Sequence, residues 1–555
     1  MSPIFAQPEP FSCKHRQWPD RQLTASPAWC SVDLRDGNQA LPVPLSPERK
    51  LRFFRLLLDI GFKEIEVGFP SASRLDWDFC RQLIDDNLIP DDTRVSVLMP
   101  ARRTLIAQTM KCLRGIPRAI CHLYLPTSDL HTKFVLGKSR PEVQDMVLAA
   151  TAQLRKLAAE NGDSQFQLEF STEEFTDSDL DFVSDLCRRV VEEWQPAPGE
   201  KVILNLPCTV ERALPIRYAD MIEEFLRRRI YPDNTIVSIH THNDMGTATA
   251  QAELAMLAGA RRVEGTLFGN GERAGNLDLV TLAANCLYLG LDTGLDLSRL
   301  EDIRDQVCDI CGFTISPRHP YAGELTFTAF SGAHQDAIHK GLDKLPKIKK
   351  TFGAWKLPYL HLDPACLGRS HQDFIRINSQ SGKGGIDYVL RDTKGVSLPD
   401  GLLSELRQLV KLQNREMTPD ELWQLLLDEY LRPVGALQIL KFWPRPDPGD
   451  PDLVHAEVHL RWQGQEHQLY ATGQGPVAAF ATALRQLPLP TFRLESYQEQ
   501  AVGTTVNADA LTIVSLSSED NGIFYGLGFG PNIVQGAVQA IAAALNRLAA
   551  RQGEP

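Results

Sequence analysis

No apolar run in these 555 residues approaches the length of about 18 that a membrane span needs, and the start, MSPIFAQPEPFSCKH, lacks a charged head followed by an apolar stretch. Excess positive charge is missing too. With 58 Lys and Arg against 70 Asp and Glu the formal charge is -12, and no clustered basic face offers a footprint for a nucleic-acid backbone. A disulfide framework is also absent. The 11 cysteines are scattered through apolar segments, among them Cys80, Cys112, Cys187 and Cys286, as buried free thiols of a reducing compartment would be. Only Cys308 and Cys311 have ligand-like spacing, and without a second pair at metal-finger distance they read as neighbours on a helix face. These absences describe a cytoplasmic protein with neither nucleic-acid nor membrane partners.

What is present is regular. The 43% hydrophobic and 23% charged content suits a globular chain, and its length suits two to four domains. From about 29 to 289, short β-branched runs (WCSVDL, EIEVGFP, RVSVLMP, AICHLYLP, FQLEFS, KVILNLP, TIVSIHTH, RVEGTLFG) alternate with amphipathic stretches such as ERKLRFFRLLLDIG and YADMIEEFLRRR. Eight such units in this span predict an α/β fold of the (β/α)8 TIM-barrel class. An open doubly wound sheet is the alternative, but it calls for a Gly-rich first turn that the sequence does not have.

In such a barrel, chemistry collects at the C-terminal ends of the strands. Read in order, those ends supply Arg35 and Asp36, Glu66, Leu98, His122, Ser171 with Glu173, Thr209, His240 with His242, and Asn276 in the following loop. The first strand, read as Cys30 to Leu34, breaks off in Arg-Asp-Gly. Alone that is a hydrophilic turn; among so many polar strand ends it reads as part of a site. His240 and His242 are two apart on a strand end, so both imidazoles can face one ion, although two histidines could also form an ordinary polar rim. With the Asp36 carboxylate and the Asn276 amide oxygen they make a donor set for Mg2+, Mn2+ or Zn2+.

SVDLRDGNQAL, EVGFP, LEFSTEEF, SIHTHNDMG, GTLFGNGERAGN, SGAHQDAIHKG, LPYLHLDP and INSQSGKGG together resemble the 2-isopropylmalate synthase family, which is related to the homocitrate and citramalate synthases. The likeness runs from about Trp29 to the C-terminus. It implies a metal-dependent Claisen-type condensation of acetyl-CoA with 3-methyl-2-oxobutanoate (2-oxoisovalerate) and water, opening leucine biosynthesis, with potassium as an activator and a homodimer as the working unit. It further implies that Arg35 meets the developing alkoxide, that Leu98, His122, Ser171 and Thr209 line the keto-acid pocket with Arg35, and that Glu173, His334 and Tyr359 share the catalytic proton transfers, His334 being the leading base. A homocitrate synthase would need a fixed cation for a second substrate carboxylate, and only His122 is available at these positions. A citramalate synthase would need bulk to exclude an isopropyl group.

Outside the barrel (29–316, after an N-terminal extension 1–28), helical patterns such as DGLLSELRQLVKLQ and PDELWQLLLDEYL fill 317–431, read as linker, lid and dimerisation region. SGKGG, at 381–385, is a linker turn or a contact for CoA phosphates. Residues 432–555 repeat one plan twice: three strands and a helix entered through Gly-x-Gly-Pro, at 473–476 and 528–531. Proline suits a first helical turn, and the glycines allow close approach of backbone or ligand. The family resemblance implies a leucine-binding regulatory domain here, with Gly473, Gly475 and Ala478 near the effector.

Overall fold

The computed structural model describes residues 5–6, 8, 11–369, 377–379, 381–432, 435–450, 452–502, 508–518 and 522–552. Two units are formed: Met1–Thr326 with Pro364–Arg369, and Phe327–Asp363 with Ser370–Pro555.

The first unit is a closed parallel barrel, which rules out the open sheet. Its strands are β1 (Ala28–Ser31), β2 (Glu64–Gly68), β3 (Arg94–Pro100), β4 (Arg118–Pro126), β5 (Gln165–Glu173), β6 (Val202–Asn205), β7 (Thr235–His240) and β8 (Arg262–Gly265). The seam closes where Ala28 to Ser31 pair in register with Arg262 to Gly265. Helices follow each strand, beginning with Pro47–Ile60, whose start is set by Pro47 and by the Ser46 hydroxyl accepting the Arg49 N–H. Phe53, Phe54, Leu57 and Ile60 recur at helical spacing and are buried against the barrel. The helix ends at Gly61, with φ 113° and a place for Cβ only 2.5 Å from the Gly294 carbonyl oxygen, so no other residue fits. The N-terminal extension is tied down on the helix Pro215–Arg227, where the Trp18 indole donates to Asp220 at 2.8 Å and Arg16 pairs with the same carboxylate.

In the second unit the helices include Gly332–Asp343, Leu345–Phe352, Lys383–Lys394, Asp400–Gln413 and Pro419–Tyr430. The SGKGG stretch opens the third of these, with Gly382 as its cap. The repeat follows: β9 (Leu437–Pro446), β10 (Leu453–Trp462) and β11 (Gln465–Gln474) before the helix Pro476–Leu484, then β12 (Arg493–Val502), β13 (Asp509–Ser518) and β14 (Gly522–Gly530) before the helix Ile533–Gln552. Each sheet is antiparallel, and one apolar core, including Val458, Phe480, Val514 and Leu545, joins both repeats. Pro476 occupies the first helical turn as its sequence position suggests. Pro531 does not: its helix begins at Ile533, and the Asn532 side chain caps it by accepting the Gln535 N–H at 3.1 Å. Among the described residues one helix, Ile533–Gln552, is long and apolar enough to cross a membrane, and its Val538, Ile541, Leu545 and Leu548 face the module core.

Every cysteine is free, Cys308 and Cys311 lying on the helix Leu300–Cys311 as expected. The barrel interior holds an unusual polar layer instead. Arg262, 1% exposed, donates to Glu64 at 2.6 Å, to both oxygens of Glu169 at 3.1 Å, to Glu264 at 2.6 Å and to Ser238 at 2.8 Å. Burial pushes the Glu169 carboxyl up, whereas for Glu264 the charge of Arg262 and the bond from His240 outweigh the same burial and hold it down. Arg262→Met should therefore destabilise the barrel by about 3–5 kcal/mol, since it strands buried carboxylates without their cation. Denaturant melts followed by tryptophan fluorescence measure this, and a loss under about 1 kcal/mol would contradict it.

Candidate active site

Strand β1 is shorter than its sequence suggests. It stops at Ser31, and the Val32 carbonyl then accepts the N–H groups of Arg35, Asp36 and Gly37 at 3.2, 2.8 and 3.2 Å, winding Asp33–Gly37 into one wide helical turn. Asp33 pins that turn: its carboxylate accepts the Ser31 hydroxyl at 2.8 Å and the Leu267 N–H, beyond β8, at 3.0 Å. Burial pushes the Asp33 carboxyl up to about 7. Asn270 adds a second tie by donating to the Gly37 carbonyl at 2.9 Å. The loops after β1 and β8 are thus fixed to one another, and Arg35 and Asp36 stand side by side at the barrel mouth, 2.6 Å apart.

Asp36 Oδ2 is the point of convergence. It lies 3.2 Å from His240 Nε2, 3.9 Å from His242 Nε2 and 2.6 Å from Asn276 Nδ2. The three ionisable groups, all buried, present one ligand atom each within 4.8 Å of one another. Each imidazole is held from behind by its other nitrogen: His240 Nδ1 meets Glu264 at 2.9 Å and His242 Nδ1 meets the Cys208 carbonyl at 3.3 Å. That leaves both Nε2 atoms aimed inward, the arrangement of metal-binding histidines. Burial alone would lower the His240 imidazole, but the Asp36 and Glu264 carboxylates outweigh it and raise it to about 9; His242, lowered by burial and by the neighbouring His240, stands at about 4. Burial likewise opposes Asp36 ionisation, yet Arg35 and the two histidines hold its carboxyl far below the usual range.

Asn276 completes the test of fit. Its amide nitrogen faces Asp36, while its buried Oδ1 has no hydrogen-bond partner. An orphaned amide oxygen beside two inward imidazoles and a carboxylate suits a divalent cation, which would also relieve the crowding of like-acting groups. Another buried group, His122 with Glu169 and Glu264, has comparable spacing, but Arg262 already bridges its two carboxylates.

Beside the donors is a cavity of about 270 Å³ whose wall includes Arg35, Leu98, His122, Ser171, Glu173 and Thr209. His122 is fully engaged: Nδ1 lies 2.5 Å from Glu66 and Nε2 2.7 Å from Ser171 Oγ. Arg35 pairs with the other oxygen of the same Glu66 carboxylate. Burial raises the Glu173 carboxyl. Sequence reading missed Gln39, Tyr124, Asn205, Pro207, Glu272 and Arg273 in this wall. Glu272 and Arg273 lie inside GNGERAGN and could have been found from that loop; Tyr124 and Asn205 sit within ordinary apolar strand runs, which carry no signal.

His334 and Tyr359 belong to the second unit, where their rings stack at 3.8 Å with 20° between planes. Gly473 lies in β11, paired with Val454, Gly475 is the cap that leads into Pro476–Leu484, and Ala478 is exposed on that helix. A side chain at Gly473 would lie 2.4 Å from the Ala479 nitrogen, so its absence already serves the packing of that helix, whereas Gly475 has φ 88° and open space around it.

Residues 26–307 match the HMGL-like family, residues 324–391 the alpha-isopropylmalate synthase, post-catalytic domain-like family, and residues 416–549 the LeuA allosteric (dimerisation) domain. The chain is 42% identical over 550 residues to a 2-isopropylmalate synthase of Ralstonia nicotianae, covering 98% of this chain and 94% of that protein. It is 41% identical over 542 residues to one of Clostridium acetobutylicum, covering 96% and 97%. Among solved structures, an HMG-CoA lyase from Brucella melitensis is similar over 52% of this chain and 100% of that one, with 19% identity and a TM-score of 0.42.

A Mn2+ titration of the full chain by calorimetry should give one ion per chain, and Asp36→Ala or His242→Ala should weaken it by more than about 100-fold, beyond what loss of an outer hydrogen-bond partner costs. Unchanged uptake in both variants would move the ion elsewhere.

Proposed function

The chain belongs to the 2-isopropylmalate synthase family, and on that premise we propose that it condenses acetyl-CoA with 3-methyl-2-oxobutanoate and water to give 2-isopropylmalate and CoA, the committed step towards leucine. The convergence of Asp36, His240, His242 and Asn276 beside Arg35 is the observation that carries this reading. Those four residues would hold a divalent ion, Mg2+, Mn2+ or Zn2+, whose contribution when bound is Lewis-acid polarisation of the ketone of a 2-oxo acid. Potassium is an additional activator in this reading.

The chain's own groups account for the remaining needs. A thioester methyl is a weak acid, so a base must take its proton while the methyl carbon forms a bond to the ketone carbon. The ketone oxygen then gathers negative charge, and Arg35, fixed by Asp36 and Glu66, offers a cation at that point. Water finally cleaves the thioester, giving a carboxylate and the CoA thiol. We assign the proton abstraction to His334, supported by Glu173 or through water, with Tyr359 as the third catalytic residue. Burial raises the Glu173 carboxyl above its ordinary range, the direction that makes it a stronger proton acceptor.

Substrate choice follows from the wall. His122, held between Glu66 and Ser171, has no ring nitrogen left for a second substrate carboxylate, and Glu66 beneath it would repel one, which speaks against a homocitrate synthase. Discrimination between isopropyl and methyl tails rests on a few methylenes, about 1–3 kcal/mol. The matched dimerisation domain supports a homodimer, with 317–431 as linker, lid and dimerisation region and 432–555 as the leucine-binding regulatory domain.

Free thiol release from acetyl-CoA should be fastest with 3-methyl-2-oxobutanoate and absent with 2-oxoglutarate; undiminished release after exhaustive chelation would sink the assignment. His334→Ala should abolish turnover while sparing Mn2+ and keto-acid binding, and full activity in that variant would remove His334 from the chemistry. Ala478→Trp should leave turnover without leucine intact and raise the half-inhibiting leucine concentration by about tenfold or more, equivalent to about 1.4 kcal/mol of binding. An unaltered leucine response would place the effector elsewhere.

A further inference from the structure

A continuous hydrogen-bonded path leads from the metal-donor cluster to the keto-acid wall through the barrel interior. Glu264 Oε2 meets His240 Nδ1 at 2.9 Å and accepts from Asn205 Nδ2 at 3.1 Å. The same Asn205 nitrogen donates to Ser171 Oγ at 2.8 Å, and Ser171 meets His122 Nε2 at 2.7 Å. His122 then reaches Glu66, the carboxylate that also holds Arg35. Strands β2, β4, β5, β6, β7 and β8 each supply one member of this path, and every member is buried.

Asn205 shows which group is in control. Its Oδ1 is buried without a hydrogen-bond partner, while its nitrogen serves two acceptors. Turning the amide over would bring that oxygen against the Glu264 carboxylate, so the charge on Glu264 dictates the side Asn205 presents to Ser171. Glu264 is itself anchored by Arg262 at 2.6 Å. We propose that Glu264 is a positioning residue that orients the donor His240 and, through Asn205, the substrate-facing Ser171, so that one carboxylate sets both metal affinity and keto-acid affinity. This rests on the synthase reading of the site.

The test is calorimetric Mn2+ titration of full-length protein, with keto-acid kinetics beside it. Glu264→Gln should weaken Mn2+ by about 10–100-fold, the usual cost of losing the partner behind a metal-binding histidine. Asn205→Ala, which makes no bond to His240, should leave Mn2+ affinity within about twofold and raise KM for 3-methyl-2-oxobutanoate more than it lowers kcat. Glu169→Gln is the control: it deprives Arg262 of its two-pronged partner yet makes no bond to His240, and should leave Mn2+ affinity within about twofold, well short of the loss of a direct outer partner. Wild-type Mn2+ affinity in Glu264→Gln, an unchanged KM for 3-methyl-2-oxobutanoate in Asn205→Ala, or a loss of Mn2+ affinity in Glu169→Gln equal to that in Glu264→Gln, would overturn the inference and leave the functional reading standing. Absence of Mn2+ uptake by the wild-type protein would remove both. Should Glu264→Gln fail to fold by circular dichroism, Glu264→Asp, which keeps the charge but withdraws it from His240 and Asn205, should show the same two losses, and wild-type affinities in it would overturn the inference.

Discussion

The seam between the first and eighth strands is the constraint on which the site depends. Four residue pairs, Ala28 to Ser31 against Arg262 to Gly265, bring together segments that lie more than two hundred positions apart. The Asp33 carboxylate extends that seam beyond the strands by holding the Leu267 N–H. Only then does Asp36, three residues further on, reach His240 and Asn276. Ordering so distant a loop is entropically costly, and the parallel pairing plus buried hydrogen bonds supplies the compensation.

The barrel interior shows why the site is polar beneath as well as above. Five carboxylates, Asp36, Glu64, Glu66, Glu169 and Glu264, gather around Arg35 and Arg262. Such charges gain little net stability from burial, because desolvation offsets most of the attraction. Their return is orientation: each imidazole at the mouth has its rear nitrogen occupied, Arg35 is aimed by two acids and Arg262 by three. Stability comes instead from the apolar ring between strands and helices, where Phe53, Phe54, Phe79, Phe170 and Phe225 are buried.

The C-terminal module uses glycine for a different end. At Gly528 a Cβ would come 1.8 Å from the Gly536 carbonyl oxygen, and at Gly526 it would come 2.1 Å from that of Ala540, so the last helix lies flush on β14. In each copy of the repeated motif the first glycine, Gly473 or Gly528, thus serves close helix-on-sheet packing, whereas the second, Gly475 or Gly530, has open space around it. Two sheets of three strands cannot bury an apolar face alone, and the shared core is why the repeat occurs as a pair.

The alternation of eight apolar runs with helical stretches already determined the barrel, because period-2 and period-3.6 patterns are local properties of the chain. The same holds for the polar strand ends, since a barrel sends every strand's C-terminal end to one rim. Local pattern could not reveal that β1 stops at Ser31 and turns, for that depends on Asp33 finding a backbone N–H in the loop beyond β8. Nor could it mark Glu264 or Asn205, which sit in unremarkable strand runs and gain their roles only from partners on other strands of the barrel. Residue type and order decided which groups reach the mouth; tertiary packing decided their partners, because burial makes each unsatisfied polar atom costly and so fixes who must face whom.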